Sequence, residues 1–155
     1  MATYPCSILL LALVLFATTS VQLAHGIVIT GSVNNVTLVT VNGHLYCTKN
    51  GNIAPNARGV ANATVFVSCD GGRTRLGQAQ TDPFGFVNLV ITSGSNGTAL
   101  VLDLSKCFAY VKLPVPGCAA LPRTGTLRAN LNILSLFPFL NGILAFLGLG
   151  LFGLV

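Results

Sequence analysis

The sequence predicts an all-β, single-domain protein, and three observations point there. The segments between turn signals are short and rich in Val, Ile, Leu, Thr and Phe, and they lack the i, i+3, i+4 spacing of an amphipathic helix. The chain has 155 residues, 52% hydrophobic and 7% charged, against the ~25% charged of an ordinary soluble domain. That is far too apolar for a disordered chain, and the length suits one domain of ~100 to 150 residues. Seven candidate strands follow, which suggests a sandwich or barrel.

The chain opens with an apolar run, Ile8 to Ala17, followed by small and polar residues ending in Ala24-His25-Gly26. Residues 1–26 read as a signal peptide cleaved after Gly26. An uncleaved anchor is the competing reading, but the run is shorter than the ~20 apolar residues of a span. Cleavage removes Cys6 and leaves Cys47, Cys69, Cys107 and Cys118. An even count in a secreted chain implies disulfides, with three connectivities open. A zinc site is disfavoured, because no Cys-x-x-Cys pair is present and His44 is the one histidine left. Three sequons, at Asn35, Asn62 and Asn96, suit the same compartment and predict a glycoprotein.

The candidate strands are Ile27 to Val33, Val36 to Cys47 with a break at Asn42-Gly43, Ala63 to Cys69, Phe84 to Thr92, Thr98 to Leu104, Cys107 to Leu113, and Thr124 to Leu134. Alternation places Ala63, Val65, Val67 and Cys69 on one face, the expected core, with Phe66 the exception on the other. Val87, Leu89 and Ile91 share a face opposite Phe86, Asn88 and Val90, so this strand has apolar residues on both sides and cover on both is expected. Between these strands Thr81-Asp82-Pro83-Phe84-Gly85-Phe86 reads as a turn in which Asp82 bonds forward to the backbone and Gly85 accepts a left-handed conformation.

From Leu131 to Val155 the chain carries no charge. The strand domain is placed at 27–134 and an apolar Gly/Leu/Phe-rich tail at 135–155. Three readings of the tail compete: a membrane anchor, a processed lipid-anchor signal, or a segment packed on the domain or exposed for self-association. Pro138 and the glycines at 142, 148, 150 and 153 oppose a spanning helix, and no polar spacer of ~8 to 12 residues precedes the apolar stretch as a lipid-anchor signal needs.

Chemistry has little to work with. Three aspartates, Asp70, Asp82 and Asp103, and no glutamate leave almost nothing for paired-carboxylate catalysis. No nucleophile elbow, P-loop or dinucleotide glycine pattern is present, and His44 reads as an edge or turn residue. No catalytic residue, metal ligand or cofactor is therefore assigned. The eight Lys and Arg, which give a net charge of +5, are scattered without a run. Nucleic-acid binding is not expected. A diffuse positive charge favours anionic surfaces such as acidic polysaccharides or microbial membranes. Trp is absent, and Tyr46 and Tyr110 are the aromatics left to stack on sugar rings.

The order Asn42-Gly43-His44-Leu45-Tyr46-Cys47, then Asn56-Ala57 through Ala63 to Cys69, Thr81 to Phe86, Cys107-Phe108-Ala109-Tyr110-Val111-Lys112-Leu113, and Cys118 before Leu121-Pro122 resembles the pollen Ole e allergen and extensin family of plants. Within it, Tyr46-Cys47-Thr48-Lys49-Asn50-Gly51-Asn52 and the apolar C-terminus are most similar to the phylloplanins. The resemblance covers roughly residues 43–134. It implies a seven-stranded, Greek-key-like barrel or sandwich with nested disulfides, Cys47 with Cys118 and Cys69 with Cys107. It also implies secretion to the leaf surface and defence against fungal or oomycete spores, with spore surface, cuticle or wall glycans as partners. The wider family implies an alternative, a structural wall module that binds pectin or other glycans.

Overall fold

Side-chain alternation in the strands builds one strongly curved sheet. The computed structural model describes residues 32–92, 100–139 and 142–155. Eight strands run in chain order: β1 Ser32–His44, β2 Thr64–Ser68, β3 Gly77–Gln80, β4 Phe86–Thr92, β5 Leu100–Asp103, β6 Phe108–Lys112, β7 Thr126–Phe139 and β8 Gly142–Leu154. They form one sheet in the order β3-β2-β6-β7-β8-β1-β4, with β5 also paired to β1. The residues expected as a signal peptide, and Asn96, lie outside the described residues.

The sheet curls until its two ends meet. β3 and β4 close the seam with side chains rather than a ladder: Gly77 lies against Leu89 and Ile91, and an added Cβ there would stand 3.0 Å from Ile91 Cγ1. Inside are Val39 and Val41 of β1, Val65 and Val67 of β2, Val87 and Leu89 of β4, Ala109 and Val111 of β6, Leu127 and Ala129 of β7, and Ala145 and Leu147 of β8. Ala63, Val65 and Val67 all face the core, as their alternation predicts, and Cys69 packs against it. Among the described residues no helix is long and apolar enough to cross a membrane.

Several elements differ from the sequence reading. Of the first candidate strand, residues 27–31 lie outside the described residues; Ser32 and Val33 are continuous with the second in one strand, β1, which passes through Asn42-Gly43 unbroken and carries its irregularity between Val33 and Val36. Short β3 was not foreseen, because Gly77-Gln78-Ala79-Gln80 has little β-propensity. β4 is covered on its inner face alone: Val90 is 55% exposed. β4 pairs with β1 as far as Thr92, opposite Leu38, and Leu100 of β5 continues the same antiparallel line opposite Val36.

Among the described residues from 135 onward, set apart by composition, all but Val155 belong to the end of β7 and the whole of β8. β8 pairs antiparallel with β7 and parallel with β1, and it buries Ala145, Leu147 and Phe152. Its paired backbone therefore sits in the middle of the sheet. Gly148 serves that position by letting Leu134 lie across it, with Leu134 Cδ2 3.2 Å from where a Cβ would be.

Turns fix the corners. Asp82 Oδ1 accepts from the Phe84 and Phe86 amides at 2.8 and 2.9 Å, and Gly85 takes φ 81°. Buried Thr81 donates to Val60 O at 2.5 Å and accepts from the Ala63 amide at 2.9 Å. Backbones cross closely here, since a Cβ on Gly59 would lie 1.7 Å from Phe84 O. Disulfides join Cys47 to Cys118, with Cα atoms 5.5 Å apart, and Cys69 to Cys107.

Candidate functional site

The strands that turn Val65, Val67, Ala109, Val111, Leu127 and Ala129 inward must turn their alternate residues outward. On the outer face of β2, β6 and β7 these are Phe66, Phe108, Tyr110, Lys112 and Arg128. Register places Phe66 opposite Tyr110 and Tyr110 opposite Arg128, in one row across three strands. Phe66 and Tyr110 stack with centroids 5.1 Å apart, and Phe108 meets Tyr110 at 5.8 Å. Phe66, the exception to the inward pattern, thus belongs to an aromatic row on the outside.

Guanidinium groups cover this row. Arg128 Cζ lies 3.7 Å from the Phe108 centroid and Arg75 Cζ 4.7 Å from that of Phe66, within the reach of cation–π attraction. Phe108 and Tyr110 are left 6% and 7% exposed. A groove of about 450 Å³ runs over them, lined by Gly71, Gly72, Arg73, Arg75, Phe108, Tyr110, Lys112, Thr126, Arg128 and Val155. Four of the chain's eight Lys and Arg border it.

Asp70 holds the turn that carries Arg73 and Arg75. Its carboxylate accepts from the Thr74 amide at 2.9 Å, from the Thr74 hydroxyl, and from Ser68 Oγ at 2.8 Å. Ser68 Oγ in turn accepts from the Gly72 amide at 3.0 Å. The Thr74 hydroxyl first, then the Thr74 amide and the Ser68 hydroxyl, hold the Asp70 carboxyl down at about 2. Asp103 is also lowered, by the Ser105 hydroxyl first and then Lys106, with which it forms an ion pair at 2.9 Å. That is the one ion pair among the described residues, so the groove's four cations face no carboxylate in salt-bridge contact.

The remaining singled-out residues sit elsewhere. His44 ends β1 and is exposed, with its ring 5.7 Å from Tyr46 and 5.0 Å from Phe86. Among the described residues it makes no hydrogen bond to a serine or aspartate, and each of the three aspartates holds a turn. Among the described residues no cluster of His, Cys, Asp or Glu could hold a metal ion. Tyr110 is buried in the aromatic row, whereas Tyr46 is half-buried beside His44. Asn35 and Asn62 are exposed, at φ 61° and 56°.

Sequence reasoning missed the groove. It treated the cations as scattered, as they are along the chain. The register of β2, β6 and β7 assembles them, and no local pattern carries that register. The signal available was the pairing of outward Phe66 with a second outward aromatic strand, Phe108 to Lys112.

Fold and site together define a small, disulfide-bonded, all-β protein with a basic groove on one outer face and no assembled catalytic constellation among the described residues. A family model described as phylloplanin antifungal protein matches residues 35–153, from β1 to the penultimate residue of β8. The chain belongs to the phylloplanin family. No curated protein and no solved structure gives a significant match.

Proposed function

We propose that the protein is a secreted plant-surface defence protein that hinders germination or infection by fungal or oomycete pathogens, acting by adsorption to cuticle and spore surfaces. The family match supports the antifungal part. Two disulfides suit an oxidising, extracellular compartment such as the leaf surface or wall. Exposed Asn35 and Asn62, with Asn96, are the proposed glycan acceptors. The action is contact rather than turnover, in keeping with aspartates committed to turns.

The observation that carries adsorption is the outer face of the β7–β8 hairpin. Leu134 and Phe137 are 65% and 52% exposed. Phe137 meets Phe146 edge to face at 5.9 Å, Phe146 stands opposite Thr40, and Thr40 opposite exposed Val90. The row is apolar at Phe137, Phe146 and Val90, with Thr40 between them, and from Leu131 to Val155 the chain carries no charge. Contiguous exposed apolar surface of this kind marks an interaction site.

The test is a spore-germination assay with the disulfide-intact mature protein, its reduced form, and the Leu134→Ser/Phe137→Ser variant, each also measured for retention on wax-coated beads. Inhibition by the intact protein, lost on reduction and weakened together with wax retention in the variant, is expected. Full inhibition by a variant that no longer adsorbs would overturn the mechanism. No inhibition by the intact protein at coating concentrations would overturn the defence role and leave a wall-glycan module.

A further inference from the structure

Next to the basic groove lies a second, apolar one. It has a volume of about 330 Å³ and is lined by Arg128, Asn130, Leu151, Phe152, Gly153, Leu154 and Val155. The two grooves share Arg128 and Val155. Leu151 is 78% exposed and Leu154 56%. A cationic depression thus opens directly onto an aliphatic one.

From this juxtaposition we infer that the pair of grooves is a binding site for an acidic membrane phospholipid, with the phosphate headgroup among Arg73, Arg75, Lys112 and Arg128 and an acyl chain along Leu151 and Leu154. Charge complementarity selects the head: among the described residues the four cations meet no carboxylate in ion-pair contact. Guanidinium suits a phosphate because its planar fork donates two parallel hydrogen bonds. Stacking of Arg128 on Phe108 and of Arg75 on Phe66 already orders those forks, so less side-chain freedom is lost on binding. The apolar groove selects an amphiphile over a free anion.

An acidic glycan or a single-stranded nucleic acid fits less well. A glycan has no apolar chain to fill the aliphatic groove, and single strands stack their bases on open ring faces, whereas here Phe108 and Tyr110 are 6% and 7% exposed. The site uses neither Leu134 nor Phe137, so it stands apart from the adsorbing face.

Vesicle flotation tests the assignment, with phosphatidylcholine alone, phosphatidylcholine mixed with phosphatidic acid, and inorganic phosphate and polygalacturonate as soluble probes. Binding is expected to the acidic vesicles alone and to fall with salt. Each cation close to an acidic surface contributes about fivefold, so Arg73→Gln/Arg75→Gln should weaken binding roughly twenty-five-fold. Arg58→Gln/Arg123→Gln removes the same charge at exposed positions outside the groove and should cost far less. Leu151→Ser should weaken vesicle binding and leave any weak phosphate binding unchanged. Disulfide mapping and circular dichroism of each variant verify the fold. Equal losses in the two double variants would reduce the effect to net charge and overturn the site. Equal binding to neutral vesicles, phosphate binding as tight as that of vesicles, or capture of polygalacturonate without vesicles would each overturn it too.

Discussion

The side-chain amide of Asn52 closes a two-bond ring with the backbone of Phe152, 100 residues away: Nδ2 donates to Phe152 O at 2.9 Å and Oδ1 accepts from the Phe152 amide at 2.7 Å. A loop side chain here does what a neighbouring strand would do for β8. The loop is itself fixed, because Thr48 Oγ1 donates to Asn52 O at 2.9 Å and the Tyr46 amide to Gly51 O at 2.9 Å. Tyr46 to Asn52, the segment that carried the family resemblance, is in structural terms a clamp on the last strand. Asn52→Ala should leave both Phe152 groups unpaired and destabilise the protein by about 1 to 3 kcal/mol. Urea denaturation measures the loss, and amide exchange should show it first at the end of β8. An unchanged midpoint would refute the clamp.

Gly59 and Gly153 should respond oppositely to the same substitution. Gly59→Ala would drive a Cβ to 1.7 Å from Phe84 O, a backbone atom in a tight turn. The cost should reach or exceed the ~3 kcal/mol top of the usual overpacking range. Nothing lies within 4 Å of a Cβ on Gly153, so Gly153→Ala should be neutral or slightly stabilising. Thermal melts of the two variants check the contrast.

The Asp70 carboxyl, held at about 2 against a reference of 3.8, makes the arginine-bearing turn acid-sensitive. A depressed folded-state pKa stabilises the fold above the unfolded value and loses that contribution as pH falls through the folded one. Asp70→Asn should therefore be less stable than the parent at pH 6, and the difference should shrink between pH 4 and pH 2. A difference independent of pH would show that the carboxylate charge is not what holds Ser68 and Thr74.

Loss of either disulfide should be felt globally. Cys47–Cys118 closes a separation of 71 residues and Cys69–Cys107 one of 38, for which restriction of the unfolded chain amounts to about 4 kcal/mol each. Cys47→Ser/Cys118→Ser should lower the denaturation midpoint and, because the first bridge anchors the Asn52 loop, loosen β8 as well. Limited proteolysis that left β8 intact in this variant would refute that coupling.

What was legible in the sequence was local. Alternation from Ala63 to Val67 gave the inward face of β2, and the spacing of Asp82, Pro83 and Gly85 gave a turn whose hydrogen bonds appear where that chemistry places them. β8 was harder to read because its outer face is also apolar and glycine stands where a strand would carry β-branched residues. Period-2 contrast vanishes under those conditions. The groove was illegible for a different reason: Phe66, Tyr110 and Arg128 become neighbours through strand register, a non-local property that composition and charge counting do not contain.

The placement of β8 has a consequence for biosynthesis. It is the last of the described strands in chain order, yet it lies between β1 and β7 and joins β3-β2-β6-β7 to the β1-β4 pair. Until it inserts, two half-sheets wait with β1 and β7 as open edges, a state prone to pairing with other chains. Pulse-labelled refolding should find amides of β1 and β7 that face β8 protected in the same slow phase, later than those of the β2–β6 ladder. Assembly of this protein is therefore a closing event, completed when its most apolar segment arrives.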